Sequence, residues 1–421
     1  MKRTGIVLSA LMLAVSVFSG CKAKENGFKI NQKNFPDSAV YYAAMDQDLD
    51  QDSELSRSEI ESATSIFLYR AKDLKGIEIF TNLESINIRE SENINCNFKL
   101  FTNLSTLSIE GTCESGRIDL SGNTKLEMLY IDSANLKRLN LPKDAPLIEI
   151  SIENTLLEGI DLNDYKGLQK IKIEDNELIS KMDFRDFPEL SELICNSNTE
   201  LSHFNVSNCP ELKVLECGSN ALSDLPVSGC ENIEELRCDD NRFLTSLNLS
   251  AFPKLTELHC SRNYITELDL SCCPELTELF CVYNSLTSLD LRSNLKLKHL
   301  TCGGNPFKEF DVSGYSNLES LSCWGCELTS LNFTGCSNLS RLVCTNNKLT
   351  SLDLTACPKL DGLYCEENNL TSLDISKCPE LVYLANKRMN PNVSKDGKGI
   401  YYHDDNLGHI SVDKGTELVI T

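Results

Sequence analysis

Leu276-Thr-Glu-Leu279-Phe-Cys281-Val-Tyr-Asn284 runs, with only Ser285 between, into Leu286-Thr-Ser-Leu289-Asp-Leu291, and these sixteen residues decide the fold. In each half the last two apolar residues are separated by one other, so they share a face of a short strand and the residue between them points away. Outward from this stretch, a Leu or Ile opening the same unit recurs at fifteen positions from Leu83 to Leu381, in steps of 21 or 22 residues. A fixed period of that size marks stacked coils, each contacting only its neighbours. Two strands and two turns use up the period, so no helix of useful length fits on the far side of a coil.

The clearest copies, Leu276 to Asn284 and Leu360-Asp-Gly-Leu363-Tyr-Cys365-Glu-Glu-Asn368, resemble the leucine-rich repeat. The second unit of each period, as in Leu349-Thr-Ser-Leu352-Asp-Leu354, is similar to the nested 21-residue class of bacterial leucine-rich repeats. The resemblance implies a mostly β, right-handed solenoid of about 15 coils over residues 80–385, with a small helical N-terminal cap at 35–79 and a C-terminal cap at 386–421.

Twenty cysteines in an exported chain would ordinarily suggest a disulfide framework, but their spacing follows the repeat. Nine of them, from Cys195 to Cys365, recur once per coil. Cys209, Cys230, Cys273, Cys336, Cys357 and Cys378 form a second ladder, completed by Phe187, Phe252, Asn294 and Tyr315 at matching positions. Such sites ask for a filler, and Cys is expected there as a small buried thiol. Cys323-Trp-Gly-Cys326 resembles a redox or metal motif, yet Cys323 belongs to the first ladder and Cys326 replaces a column Asn. No helix N-terminus is expected there to lower a thiol pKa.

An Asn column, including Asn241, Asn263, Asn284 and Asn305, reads either as a ligand row or as buried amides satisfying turn backbone. An Asp/Asn column through Asp269, Asp290, Asp311 and Asp353 reads as a solvated acidic face or as a row of metal ligands.

Ahead of the repeats, Asp48-Leu-Asp50-Gln-Asp52-Ser-Glu54-Leu-Ser56-Arg-Ser-Glu59 matches the EF-hand calcium loop at its first, third, fifth, eighth, ninth and twelfth places. Ser53 stands where that loop has Gly. The resemblance implies a structural Ca2+ held by Asp48, Asp50, Asp52, Glu54, Ser56 and Glu59, and the residues alone also allow an acidic helix N-cap without metal. The surrounding segment is similar to the module that precedes leucine-rich repeats in surface proteins of gut and oral bacteria.

Lys2 and Arg3 followed by the apolar run from Ile6 to Phe18 read as a secretory signal over residues 1–20, too short to span a bilayer. Phe18-Ser19-Gly20-Cys21 resembles the bacterial lipobox, with Phe where Leu, Val or Ile is usual, which implies a lipid on Cys21 and a tether over 21–34. The expected location is the bacterial cell envelope, with membrane contact through that anchor only. The formal charge of the chain is −22, and removing the leader makes it two units more negative because Lys2 and Arg3 leave with it. Nucleic acid is therefore excluded as a partner, since binding it depends on counterion release to Lys and Arg.

Five His residues form no H-E-x-x-H, and no nucleophile elbow or phosphate-binding glycine loop occurs, so no enzyme activity is expected. A solenoid offers an extended face, and Phe280, Tyr283, Trp324, Tyr364 and Tyr383 are expected on it as a ligand surface for a protein or glycan. Trp324 has an alternative, folding down over Cys326 to fill the place of the missing Asn. The expected function is non-enzymatic macromolecular recognition by a monomer, with adhesion or host interaction implied by the similarity to internalin-like proteins. An envelope scaffold without a ligand and a glycan-capture lipoprotein of a nutrient system are the alternatives.

Overall fold

The computed structural model describes residues 27–386, 392–393, 399–404 and 408–420, so Cys21 and the leader lie outside the described residues. The chain divides into two compact units, 1–182 and 183–421. Both are stacks of parallel-strand coils, about 14 turns in all, and with 28% strand against 7% helix the protein is mostly β, as the periodicity predicts.

In the first unit, Phe28–Lys29 pairs antiparallel with Glu54–Leu55. Helix α1 (Ser38–Met45) starts at Asp37, whose Oδ1 accepts from the amides of Ala39 at 2.8 Å and Val40 at 3.4 Å. Helix α2 (Arg57–Ser62) opens on a capping box: Ser56 Oγ accepts from the Glu59 amide at 3.2 Å, and Glu59 Oε2 accepts from the Ser56 amide at 2.8 Å. The parallel ladder begins at Ser65–Tyr69, within the stretch expected to cap it, and continues through Ser85–Ile94, Thr106–Cys113, Met128–Asp132, Glu149–Glu153 and Lys170–Glu174. Its register stacks Ile66, Ile86, Leu107, Leu129, Ile150 and Ile171, none more than 3% exposed. Burying each such side chain contributes about 1.5–3 kcal/mol.

In the second unit the ladder strands shrink to three residues, from Glu192–Ile194 to Gly362–Tyr364, stacking Leu193 through Leu363 in register. A turn follows each core Cys: Ser219, Asp240, Arg262, Tyr283, Gly304, Gly325 and Asn346 all have left-handed backbone there, as Asn154 and Asp175 do after the five-residue strands of the first unit. All nine cysteines of the first ladder and all six of the second are fully buried, as their spacing predicts. The second ladder does more than fill space: Cys336 Sγ donates to Val312 O at 3.1 Å, and Asn294 Nδ2 donates to Cys273 O at 2.7 Å.

The fifteenth copy departs from the pattern. Leu381 and Leu384 lie in helix α3 (Pro379–Asn386), both buried. An L-x-x-L spacing also describes one face of a helix, and Pro379 is suited to a helical first turn. The strand place beside Gly362–Tyr364 is taken by Gly408–Asp413, and Glu417–Val419 pairs with Ser372–Asp374. Gly399–Asp404 then pairs antiparallel with Gly408–Asp413 and covers its outer edge.

Candidate ligand-binding face

Two polar columns are structural. Asn284 Nδ2 donates to the carbonyls of Cys260 at 2.9 Å and Cys281 at 3.2 Å, while its Oδ1 accepts from the Ile265 amide at 3.0 Å. Asn263 and Asn305 repeat the same clamp between consecutive coils. Cys326, standing in that column, donates its thiol to Cys302 O at 3.6 Å, a weaker version of one amide bond. In most of the Asp/Asn column the side chain accepts from the amide two residues on, as Asp269 does from Ser271 at 2.9 Å and Asp311 from Ser313 at 2.8 Å, while Asn205 instead donates Nδ2 to Asp183 Oδ1 at 2.9 Å. Hydrogen bonds from those serines hold the carboxyls of Asp269 and Asp311 below the usual range. The column is thus mostly a row of Asx-turns, a role that neither the solvated-face nor the metal-row reading contains.

On the outward sheet face of the second unit, Arg237 is the centre of a network. Its guanidinium bonds Glu235, reaches Glu257 Oε1 at 2.5 Å, and has Glu216 Oε1 at 3.7 Å. His259 Nε2 lies 2.7 Å from Glu257 Oε1, and Arg237 Nη1 lies 3.4 Å from His259 Nδ1. If Arg237 donates to Nδ1, the imidazole is the Nε2–H tautomer donating to Glu257. Burial alone would lower the Arg237 pKa, but Glu235, Glu257 and Glu216 raise it. The His259 ring stacks on Phe280 with centroids 4.3 Å apart. Successive coils are therefore joined by side chains as well as by backbone.

The five predicted aromatics fall into separate settings. Phe280 is half-buried against His259, and Tyr364 stacks on His409 at 4.3 Å with Arg341 4.8 Å from its ring. Tyr283, 51% exposed, meets the edge of Trp324 at 5.0 Å. Trp324 is half-buried and lies over Gly303: a Cβ on Gly303 would come within 2.6 Å of Trp324 Cε2. A Cβ on Gly304 would likewise come within 2.7 Å of Tyr283 Cδ1, so the adjacent glycines make a bed for the two rings. Tyr383 is on helix α3, 48% exposed.

Sequence reasoning places His259 as a surface or strand residue but passes over Arg237, whose partners Glu257 and His259 lie one coil away, and also Phe243 and Tyr264, which are 63% and 58% exposed beside the turns. One signal was present. At the left-handed position, where most coils place Gly, Asn, Asp or Ser, this chain has Arg262 with φ 55°, Tyr283 with φ 53° and, near the end of the ladder, Glu367 with φ 58°. Residues other than Gly and Asx lose about 1–2 kcal/mol in that conformation.

In the acidic loop, one oxygen from each of Asp48, Asp50 and Asp52 lies within 4.8 Å of the others. Asp48 accepts from the amides of Asp52 and Ser53, and Gln51 and Ser53 supply the positive φ of 59° and 68° that bends the chain around it. The Asp52 amide favours the Asp50 anion, but burial and the charges of Asp52, Glu59 and Asp48 carry its pKa up. Glu59 stands apart from these three: its oxygens accept from Leu49 at 2.7 Å and from Ser56, whose hydroxyl and amide lower its pKa. Ser56 serves as the helix cap, and the Glu54 side chain reaches Lys29 at 3.6 Å.

No family model and no curated protein matches the chain. Solved structures do. The functional domain of InlJ from Listeria monocytogenes, described as including a cysteine ladder, is 22% identical with a TM-score of 0.72, over 94% of this chain and 100% of that one. YopM from Yersinia enterocolitica is 21% identical with a TM-score of 0.61, over 87% and 79%. The plant peptide hormone receptor RGFR1, in complex with RGF2, is 16% identical with a TM-score of 0.52, over 74% and 63%. At these identities the likeness is one of fold, and the fold is that of the leucine-rich repeat.

Proposed function

We propose that the chain is a non-enzymatic binding protein of the bacterial cell envelope, held by a lipid on Cys21, whose second unit recognises a protein partner through its outward sheet face. The Arg237 network carries this reading. Glu216, Arg237, His259 and Phe280 come from four successive coils and are locked to one another through shared contacts, which reduces the ordering cost of covering them. That a plant receptor of this fold is described in complex with its peptide supports a protein rather than a glycan as ligand. Adhesion or host contact is the role such a surface protein would fill.

A structural Ca2+ on Asp48, Asp50 and Asp52 is part of the same reading. Three hard oxygen donors converge there, and a divalent cation would relieve the repulsion that raises Asp50. When bound, the ion would supply only charge and cross-linking of the loop; α2 is already fixed to that loop by Glu59.

The test is an array of candidate envelope and host proteins, with glycans as a second arm, probed with the Cys21→Ser chain. For a protein hit, Arg237→Gln with Phe280→Ser should weaken binding at least about tenfold, or about 1.4 kcal/mol, measured at a temperature where circular dichroism shows the variant still folded, since losing the network also lowers its melting temperature. Undiminished binding, or hits confined to glycans, would overturn the assignment.

A further inference from the structure

Beside the sheet face, the turns of the second unit form an open groove lined by Asp240, Arg242, Arg262, Asn263, Tyr264 and Tyr283. Asn263 is its floor and is already committed: Nδ2 donates to Cys238 O at 3.0 Å and Cys260 O at 2.9 Å, and Oδ1 accepts from the Asn241 amide at 2.8 Å. The two arginines are exposed, and among the described residues neither holds a carboxylate at ion-pair distance. Among the described residues Arg89, Arg138 and Arg341 likewise have no carboxylate at that distance, but none of these is paired with a second free arginine in a groove. Arg57, Arg70, Arg117, Arg185, Arg237 and Arg292 each hold a carboxylate. Asp240 shares the groove without forming an ion pair to either arginine among the described residues, so its charge offsets one of the two and leaves the other uncompensated. Arg262 stands 5.8 Å from the Tyr283 ring, which directs its guanidinium along the groove. Tyr264 and Tyr283 expose 58% and 51% of their surface on the same walls.

The coil does not require these residue types. Arg262 and Tyr283 occupy left-handed backbone that Asp240 and Gly304 fill on the adjoining coils with less strain; Tyr283 packs on Gly304 and the edge of Trp324, while Arg262 holds no ion pair among the described residues. Two forked donors beside amphipathic rings suit a planar anion with an organic body.

We propose that this groove is a carboxylate-binding subsite in which Arg242 and Arg262 take an acidic side chain of the protein partner, with Tyr264 and Tyr283 covering its aliphatic stem. The proposal rests on the protein-partner reading and adds to it the chemistry of one contact. A uronic-acid glycan, which offers the same anion, is the outcome that would exclude it.

Trp324 is the only Trp in the chain and touches Tyr283, so its emission reports on the groove. The probes are a capped Gly-Glu repeat peptide, a capped Gly-Lys repeat peptide and trigalacturonic acid, titrated into the Cys21→Ser chain by Trp fluorescence and calorimetry. The Glu peptide should give a saturable signal that weakens as salt rises from about 50 to about 300 mM. Arg242→Gln with Arg262→Asn should weaken it about tenfold, Asn being chosen because it tolerates positive φ. Arg242→Gln alone gives the same direction if the pair does not fold. No response to the Glu peptide, equal binding by the variants, equal binding of the Lys peptide, or binding of trigalacturonic acid in its place overturns the proposal. The sheet-face reading is tested separately by the Arg237 and Phe280 substitutions, so failure of one does not imply failure of the other.

Discussion

Mild alkali should unfold the second unit cooperatively, because its core is built on thiols that must stay neutral. Burial raises the pKa of Cys217, Cys238, Cys260, Cys281, Cys302, Cys323, Cys344 and Cys365 above the ordinary 9.0, with Cys281 pushed up to about 12. In the unfolded chain the same groups titrate near 9. Above that pH the unfolded state holds fewer protons than the native state, so stability falls as pH rises and is fully present only below the unfolded value. At about pH 10 each thiol that stays protonated in the fold loses about 1.4 kcal/mol relative to the unfolded chain. Eight of them lose roughly 11 kcal/mol, as much as the whole stability of an ordinary domain. In the second ladder, Cys273 and Cys357 at about 12 and Cys336 and Cys378 at about 11 steepen the loss. The assay is denaturant unfolding under reductant at pH steps from about 7.5 to about 10, followed by circular dichroism, with thiolate absorbance to count protons released. Replacing Cys260 and Cys281 by Ala should reduce the slope by two protons. A free energy of unfolding that stays flat between about pH 8 and pH 10, or thiolate appearing without loss of structure, would refute the linkage.

Asn284→Leu should cost about 3 kcal/mol in denaturant unfolding, because it leaves two carbonyls and one amide of adjacent coils unpaired; a loss below about 1 kcal/mol would mean water replaces the amide. Gly303→Ala should displace the Trp324 ring and shift its emission to the red with little change in melting, since the contact at 2.6 Å is with the ring and not with backbone. Calcium at about 10 mM should stabilise the first unit by about 1.4–2.7 kcal/mol if the site has the affinity of extracellular loops, and Asp50→Asn should remove that increment. Glu59→Gln has one acceptor oxygen where the carboxylate uses two, so it gives up either the Ser56 or the Leu49 contact and should lower the metal-free melting temperature even before calcium is added.

The ladders were legible because they depend on period alone: a residue type recurring every 21 or 22 positions can only stack on itself. The Asn clamp was legible for the same reason. The network around Arg237 was not, because its members are about 20 residues apart and none is remarkable on its own coil; only the register shows that Glu257 and His259 are its neighbours. The resting place of Trp324 was hidden in Gly303, whose lack of a side chain matters one coil away. The helix at Leu381 was misread because a repeat unit and a helical face share the spacing L-x-x-L.

Repetition also carries a hazard. Coils this alike could pair one step out of order during folding, since every Leu ladder would still find a Leu. The odd members resist that slip. Asn294 donates to Leu270 and Cys273 carbonyls across a column that elsewhere in the second unit holds thiols or aromatic rings, and Trp324 finds its glycine at Gly303 on the coil before it. Displaced by one coil, the indole would meet Val282, and its bed would lie empty beneath Thr345. The exceptions in the pattern thus act as indexing marks along an otherwise interchangeable stack.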